Sequence, residues 1–326
     1  MKSFTYVHAT DEDAAIGAAR AAGSQFLAGG TTLVDLMRLE VMRPLTIVDI
    51  GGLPLATIAE SGAGVRIGAM ARNADVARHP LIANRYPVLA EALLSGASPQ
   101  VRNMATVGGN LLQRTRCPYF RDLASPCNKR EPDSGCSAIG GVTRSHAVLG
   151  TSKRCIATHP SDMAVALVAL DAVVHLRAGT GTRSIPIGLL HTLPGDRPEV
   201  ESVLVPGELI THVELPAQPF AGRSTYVKVR DRASFAFALA SAAVALELDG
   251  ATIKNARVAL GGVATKPWRS IEAERALIGQ RPTPETFRAA AKAAMADAKG
   301  QGENEFKIEL ARRTIERALA RVGGRP

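Results

Sequence analysis

Thr106-Val107-Gly108-Gly109-Asn110-Leu111, followed by Arg116-Cys117-Pro118-Tyr119-Phe120, Pro126-Cys127-Asn128-Lys129, Gly135-Cys136 and Arg154-Cys155, decides how the rest of this 326-residue chain is read. A glycine turn suited to a cofactor leads into a run that holds all four cysteines, separated by nine, eight and eighteen residues. Such crowding calls for a chemical explanation. Disulfides need an oxidising compartment, to which nothing here points. Structural zinc usually shows the short Cys-x2-Cys pairing, which is missing. Ordinary buried thiols would lie in apolar strands and helices, whereas these flank Pro, Gly, Lys and Arg. An iron–sulfur cluster needs four thiolates. Arg114, Arg116, Lys129, Arg130, Lys153 and Arg154 would offset its charge and lower the thiol pKa values. Spacing alone leaves a cluster, zinc and ordinary thiols all open. The window is also too rich in Pro, Gly, Ser and charge to pack by itself, so an outside agent is expected to order it.

Upstream, a second glycine turn stands at Ala28-Gly29-Gly30-Thr31-Thr32, between a strand (Gln25 to Ala28) and a helical pattern at Leu33, Leu36, Met37 and Val41. Free backbone N–H groups at such a place attract phosphate, and glycines let the backbone approach the anion. Either turn could equally be a tight structural corner. The spacing is not Gly-x-Gly-x-x-Gly and no Gly-Lys-Ser/Thr follows, so Rossmann and Walker sites are disfavoured. Two such turns about 75 residues apart favour a dinucleotide held between two subdomains.

The elements around them read as follows. Residues 1–53 are strand, helix, strand, helix, strand: Phe4 to Val7 alternate, Asp11-Glu12-Asp13 opens a helix over Ala14 to Ala22, Pro44 ends the second helix, and Leu45 to Ile50 is a buried-type strand. Residues 54–217 change texture, with short strands at Ala56 to Ala59 and Val65 to Ile67, helices at Asn73 to Arg78 and Tyr86 to Leu94, and the cysteine insert at about 112–156. Ser161-Asp162 caps a helix over Met163 to Leu170, and strands follow at Ala172 to Leu176 and Leu209 to Leu215. Asp162 is read as a helix cap or a ribose ligand. Residues 218–326, past Pro216-Ala217-Gln218-Pro219, read as strands (Ser224 to Arg230, Ala236 to Leu248, Thr252 to Leu260) and then amphipathic helices (Thr283 to Ala298, Phe306 to Val322), an α+β unit. Lys228 and Arg230 alternate on one strand face, where a solvated edge is the default. The seven histidines show no metal spacing, and His159 reads as structural.

Composition narrows the function classes. With 46% hydrophobic residues the chain can bury a sizeable core. No run reaches the roughly 18 apolar residues of a membrane span. Met1 to Tyr6 goes straight into strand-like alternation, so any export is expected to depend on a partner's signal, with cytoplasmic residence the other possibility. The net charge of +9 is scattered over 39 Lys and Arg with only 4% aromatics, which argues against nucleic acid and for a solvated surface or an acidic partner.

Taken together, the residues resemble the FAD-binding medium subunit of the molybdenum hydroxylase (xanthine oxidase) family over nearly the full length. The resemblance is carried by Leu27 to Leu33, Ile47 to Ile50, Gln100-Val101-Arg102-Asn103, Thr106 to Leu111, Pro160 to Met163, Tyr226 to Arg230 and Gly261-Gly262-Val263-Ala264. The cysteine insert is similar to that of a branch with a [4Fe-4S] cluster beside FAD, and Arg114 to Phe120 with Pro126 to Arg130 resemble its aldehyde oxidoreductase type. The resemblance implies an α+β fold of the two-subdomain FAD-binding PCMH (vanillyl-alcohol oxidase-like) type with an α+β C-terminal domain. It implies FAD contacts from Phe26, Leu27, Ala28, Gly29, Gly30, Thr31, Thr32, Leu33, Val34, Arg102, Thr106, Gly108, Gly109, Asn110, Asp162 and Lys228. Among these, the two glycine turns would hold the pyrophosphate, Asp162 the adenosine ribose, and Lys228 would lie near the flavin ring. Cys117, Cys127, Cys136 and Cys155 would ligate the cluster. Thr32 departs from the Asp, Ser or Asn of many relatives. The implied partners are a large molybdenum-cofactor subunit and a small subunit with two [2Fe-2S] clusters, in a heterotrimer or higher assembly. The equivalent subunit of a 4-hydroxybenzoyl-CoA reductase-like or other molybdenum hydroxylase, a stand-alone flavin oxidoreductase and a zinc-stabilised nucleic-acid or scaffold protein are the alternatives.

Overall fold

The computed structural model describes residues 1–324, so the last two residues of the 218–326 unit lie outside the described residues. The N-terminal elements are β1 (Thr5–His8), α1 (Glu12–Ala19), β2 (Ser24–Leu27), α2 (Leu33–Arg38) and β3 (Thr46–Asp49). They form a parallel sheet of order β1-β3-β2. Asp11 starts α1 by accepting a hydrogen bond from the Ala14 N–H at 2.8 Å, and Ala15, Ile16 and Ala19 turn inward on Val48 and Ile50. The second helix stops at Arg38, short of the expected Val41. Glu40 takes a left-handed φ of 57° and the Leu36 carbonyl accepts from both Val41 and Met42, which closes the turn early.

The middle elements are β4 (Ile58–Ser61), β5 (Gly64–Gly68), α3 (Asn73–Arg78), α4 (Pro80–Arg85), α5 (Pro87–Ser95), α6 (Pro99–Met104), α7 (Val107–Leu111), α8 (Pro118–Arg121), α9 (Asp162–Ala169), β6 (Val173–Ala178), β7 (Gly181–Pro186), α10 (Ile187–Leu190) and β8 (Leu209–Leu215). Their strands make an antiparallel sheet of order β4-β5-β8-β6-β7. The buried face of this sheet and helices α5 and α9 share one core, which Tyr226, Ala243 and Ala259 of the next unit complete. The polar strand Gly181–Pro186 escapes the pattern reading because only Ile185 is buried.

The last elements are β9 (Ser224–Val229), β10 (Ala240–Asp249), β11 (Thr252–Gly261), β12 (Trp268–Arg269), α11 (Ile271–Leu277), α12 (Pro284–Ala294) and α13 (Phe306–Gly323). The antiparallel sheet β12-β11-β10-β9 packs under the three helices. Ala311, Ile315, Ala318, Leu319 and Val322 recur at helical spacing and are all buried, each large aliphatic contributing about 1.5–3 kcal/mol. Ala236 to Leu239 do not join β10. They stay in the loop before it, on the wall of the main cavity.

The cysteine insert has no core of its own, as its composition implied. The protein's own groups hold it. Phe120 and Cys127 pack with Leu36 of α2. Arg130 donates to the carbonyls of Tyr119 and Phe120, both at 2.9 Å, and to that of Ser125. From the C-terminal unit, buried Asn304 and Lys307 donate to the carbonyls of residues 145–147. Burial pushes the Lys307 ammonium down to about 7, with the Arg144 charge adding to the effect. No helix among the described residues is long and apolar enough to cross a membrane.

Candidate functional site

The loop Ala28–Thr32 leaves β2 and enters α2 over the face of α6 and α7. Gly29 can only be glycine here, since a Cβ would stand 1.9 Å from the Met104 carbonyl oxygen. Gly30 adopts φ 70°, and Leu27 and Val34 buttress it from behind. Among the described residues the N–H groups of Thr31, Thr32 and Leu33 have no partner. They are an open row of donors, the arrangement that receives an anion.

Two chambers meet at this loop. One, of about 210 Å³, is lined by Phe26, Ala28, Gly29, Gly30, Leu33 and Gly108 among others. The other, of about 740 Å³, runs past Asn73, Arg102, Asn110, His159, Asp162 and Lys228. Thr31, Thr32 and Gly109 border both. The larger one is of the size that takes a cofactor. Of the sixteen cofactor contacts implied by the sequence, Leu27 and Val34 do not reach either chamber, because they back the loop.

The second glycine turn differs from the expectation. Val107 and Gly108 donate to the carbonyls of Ala71 and Ala69 at 3.0 and 2.8 Å, and Asn110 to that of Thr106 at 2.8 Å. Gly109 donates to Thr106 Oγ1 at 3.3 Å. Its amides are therefore spent, and it offers the cavity side chains instead. Asn110 Oδ1 accepts from Gln113 Nε2 and from Ser161 Oγ, both at 2.6 Å, which leaves the Asn110 amide NH₂ to the cavity.

Asp162 is not the cap of α9. Ser161 accepts from the Ala164 N–H at 2.9 Å and does the capping. The Asp162 carboxylate instead accepts from Lys228 Nζ at 2.8 Å and from the Tyr226 hydroxyl at 2.6 Å. Lys228 is no solvated edge residue: its side chain is 3% exposed, and it also donates to the Ser95 carbonyl at 3.1 Å. Burial and the Asp162 charge hold the Tyr226 phenol well above its ordinary pKa, so it stays a donor. The two residues thus act as one unit, and roles at opposite ends of an extended dinucleotide cannot both be theirs. Nearby, Arg102 donates to the Gly96 carbonyl at 2.7 Å, and burial with repulsion from Arg78 and Arg230 lowers its pKa. That end of the cavity is electropositive.

The fit to a large polar cofactor shows in buried polar atoms that the protein leaves unpartnered. Asn73 Oδ1, His159 Nε2, Arg116 Nε and Arg121 Nη1 have no hydrogen bond, and all four residues line the larger chamber. Buried polar groups are costly when unsatisfied, so a ligand rich in oxygen and nitrogen is the natural complement. Arg116 and Arg121 both bind Asp35 of α2, at 2.9 and 3.0 Å, and Arg116 also reaches Thr32 Oγ1 at 3.4 Å. None of Asn73, His159, Arg116 or Arg121 was singled out as a ligand contact from the sequence; only the nearness of Arg116 to Cys117 could have hinted at one.

The four cysteines are free thiols drawn from separate turns. Cys127 and Cys136 form an antiparallel bridge, Cys155 is buried, and Cys117 stands on the wall of the larger chamber. Burial pushes the Cys117 thiol up to about 12, with the charges of Cys127 and Cys155 adding to it. Cys155 is raised for the same reason, against the pull of Lys129, and feels Cys136 and Cys127. Backbone N–H groups of Phe120 and Tyr119 at Cys117, and Lys129 and the Ala157 N–H at Cys155, pull the other way, towards the thiolates. His146 Nε2 lies 3.2 Å from Cys117 Sγ.

Comparison with known proteins fits this geometry. Residues 2–218 match the FAD-binding domain in molybdopterin dehydrogenase, and residues 225–322 the carbon monoxide dehydrogenase flavoprotein C-terminal domain. The chain belongs to the family of FAD-binding medium subunits of molybdenum hydroxylases. It is 51% identical, over 98% of both chains, to the aldehyde oxidoreductase FAD-binding subunit PaoB of Escherichia coli. It is 28% identical to the carbon monoxide dehydrogenase medium chain of Hydrogenophaga pseudoflava, over 91% of this chain and 88% of that one. A solved structure of carbon monoxide dehydrogenase from that organism superposes with a TM-score of 0.77 at 27% identity, over 98% of this chain and 97% of that one.

Proposed function

We propose that this chain is the FAD- and [4Fe-4S]-carrying electron-transfer subunit of a molybdenum-containing aldehyde oxidoreductase. The observation that carries the reading is the physical join between the two candidate cofactor sites. Arg116, one residue before Cys117, spans to Thr32 and Asp35 at the glycine loop, and Cys117 itself faces the dinucleotide-sized chamber. The likeness to the aldehyde oxidoreductase subunit supports the substrate class.

When bound, FAD would supply one- and two-electron redox chemistry and the cluster single-electron storage. This chain's residues bind, orient and tune. The amides of Thr31, Thr32 and Leu33 take the pyrophosphate; Asn73, Asn110 and His159 complete polar contacts; and the Asp162–Lys228 unit meets one end of the cofactor. Cys117, Cys127, Cys136 and Cys155 ligate the cluster, and Lys129 and Arg116 offset its charge. In this reading a large molybdenum-cofactor partner would oxidise the aldehyde, a small partner with two [2Fe-2S] clusters would pass the electrons on, and this chain would deliver them to an external acceptor from within a heterotrimer or higher assembly.

The test is the visible spectrum of the purified protein with iron, sulfide and flavin counts. A colourless protein, or one with zinc and no flavin, overturns the reading. Cys127→Ser is expected to bleach the broad cluster absorption while the flavin bands persist; loss of both would show that the insert is needed for the fold itself.

A further inference from the structure

We propose that His175, His212 and Glu214 form a binding site for a first-row divalent metal ion of the Zn²⁺ class on the outer face of the five-stranded sheet, apart from both cofactor sites. The residues come together through strand register. His175 of β6 stands directly across from His212 of β8, and Glu214 follows His212 by two residues, so all three project to one side. A ring nitrogen of each histidine and a carboxylate oxygen of Glu214 lie within 4.8 Å of one another, and no other trio among the described residues does so. Two imidazoles and one carboxylate are a donor set that zinc accepts with an open position for water.

The surroundings orient these donors as supporting partners do around a bound ion. Thr211 Oγ1 donates its proton to the His175 carbonyl at 3.2 Å, and so accepts from His212 Nδ1 at 2.9 Å. That bond places the His212 proton on Nδ1 and the lone pair on Nε2. Ser61 Oγ donates to Glu214 Oε1 at 3.3 Å and leaves Oε2 turned to His175. His175 Nε2 and Glu214 Oε2 stand 3.2 Å apart, yet no aligned hydrogen bond joins them. Two ligand atoms that converge on a third centre show this relation. Gly68 lies opposite His212 on β5, so no neighbouring side chain covers that flank.

The imidazoles are stacked, with centroids 4.1 Å apart and planes at 9°. Arg66, opposite Glu214, opposes a cation, while Glu12 of α1 and Glu214 itself favour it.

The experiment titrates the purified protein, in the assembly in which it isolates and after a chelator wash, with Zn²⁺ by calorimetry and with Co²⁺ by visible absorption. Expected are one equivalent of Zn²⁺ at this site and Co²⁺ ligand-field bands without thiolate charge transfer. His212→Ala and Glu214→Gln should remove that equivalent, and Thr211→Val should weaken it by about 10-fold, with flavin and iron contents unchanged in all three. Uptake equal in wild type and Glu214→Gln, or Co²⁺ spectra of thiolate type only, overturns the proposal. Glu214→Gln keeps the test decisive if His212→Ala fails to fold, because Glu214 packs no core.

Discussion

The two glycine turns are alike in composition and opposite in use. Gly29-Gly30-Thr31-Thr32 brings its backbone hard against the Met104 carbonyl and leaves three consecutive amides open. Thr106-Val107-Gly108-Gly109 spends its amides on the carbonyls of Ala69 and Ala71 and on Thr106 itself. One turn presents donors; the other is a bracket that joins α7 to the strand end at residues 69–71 and contributes Asn110. A glycine pair therefore reports that backbone comes close to something, and only the hydrogen-bond inventory says whether that something is a ligand or the protein itself.

Substitutions at the two turns should separate these uses. The largest effect is expected from Gly29→Ala, where the Cβ would collide with backbone that cannot yield: stability falls by about 3 kcal/mol and flavin content drops to background in the purified protein, measured by thermal unfolding and by released flavin. Thr106→Ala removes the side-chain cap on Gly109 and should cost about 1 kcal/mol, with flavin retained, as a denaturant titration would show. Gly109→Ala should be the mildest. Its Cβ would meet only the Thr106 hydroxyl at 3.1 Å, in a helical conformation that alanine favours, so the change stays within about 0.5 kcal/mol. Flavin lost from Gly109→Ala and kept by Gly29→Ala would reverse the roles given to the two turns.

Much of the architecture was legible. Asn73–Arg78 and Leu209–Leu215 fall where their periodicity puts them, and Ser161 caps α9. The elements missed include β7, with one buried residue, the short helices α4, α6, α8 and α10, the two-residue β12, α7, which reads as a glycine turn, and α11, whose buried Glu274 pairs with Arg269 and accepts from the Val258 N–H at 2.9 Å. Site residues divide the same way. The loop Ala28–Thr32 was readable because glycine next to threonine between a strand and a helix has few uses. Asn73 and His159 were not, because an orphaned atom exists only once neighbours have buried it. Lys228 looked like an edge cation because its partner, Asp162, is 66 residues away along the chain.

Taken alone, the sequence determined the α+β class, the longer strands and helices, the glycine loop and the four-cysteine insert, since periodicity, turn chemistry and residue type are local properties. Only the tertiary structure decided which glycine turn keeps its amides free, that Asp162 and Lys228 form one buried unit, and that two histidines and a glutamate meet on a strand pair. Hydrogen-bond satisfaction, burial and cross-strand register depend on which distant segments come together, and no window of sequence contains them.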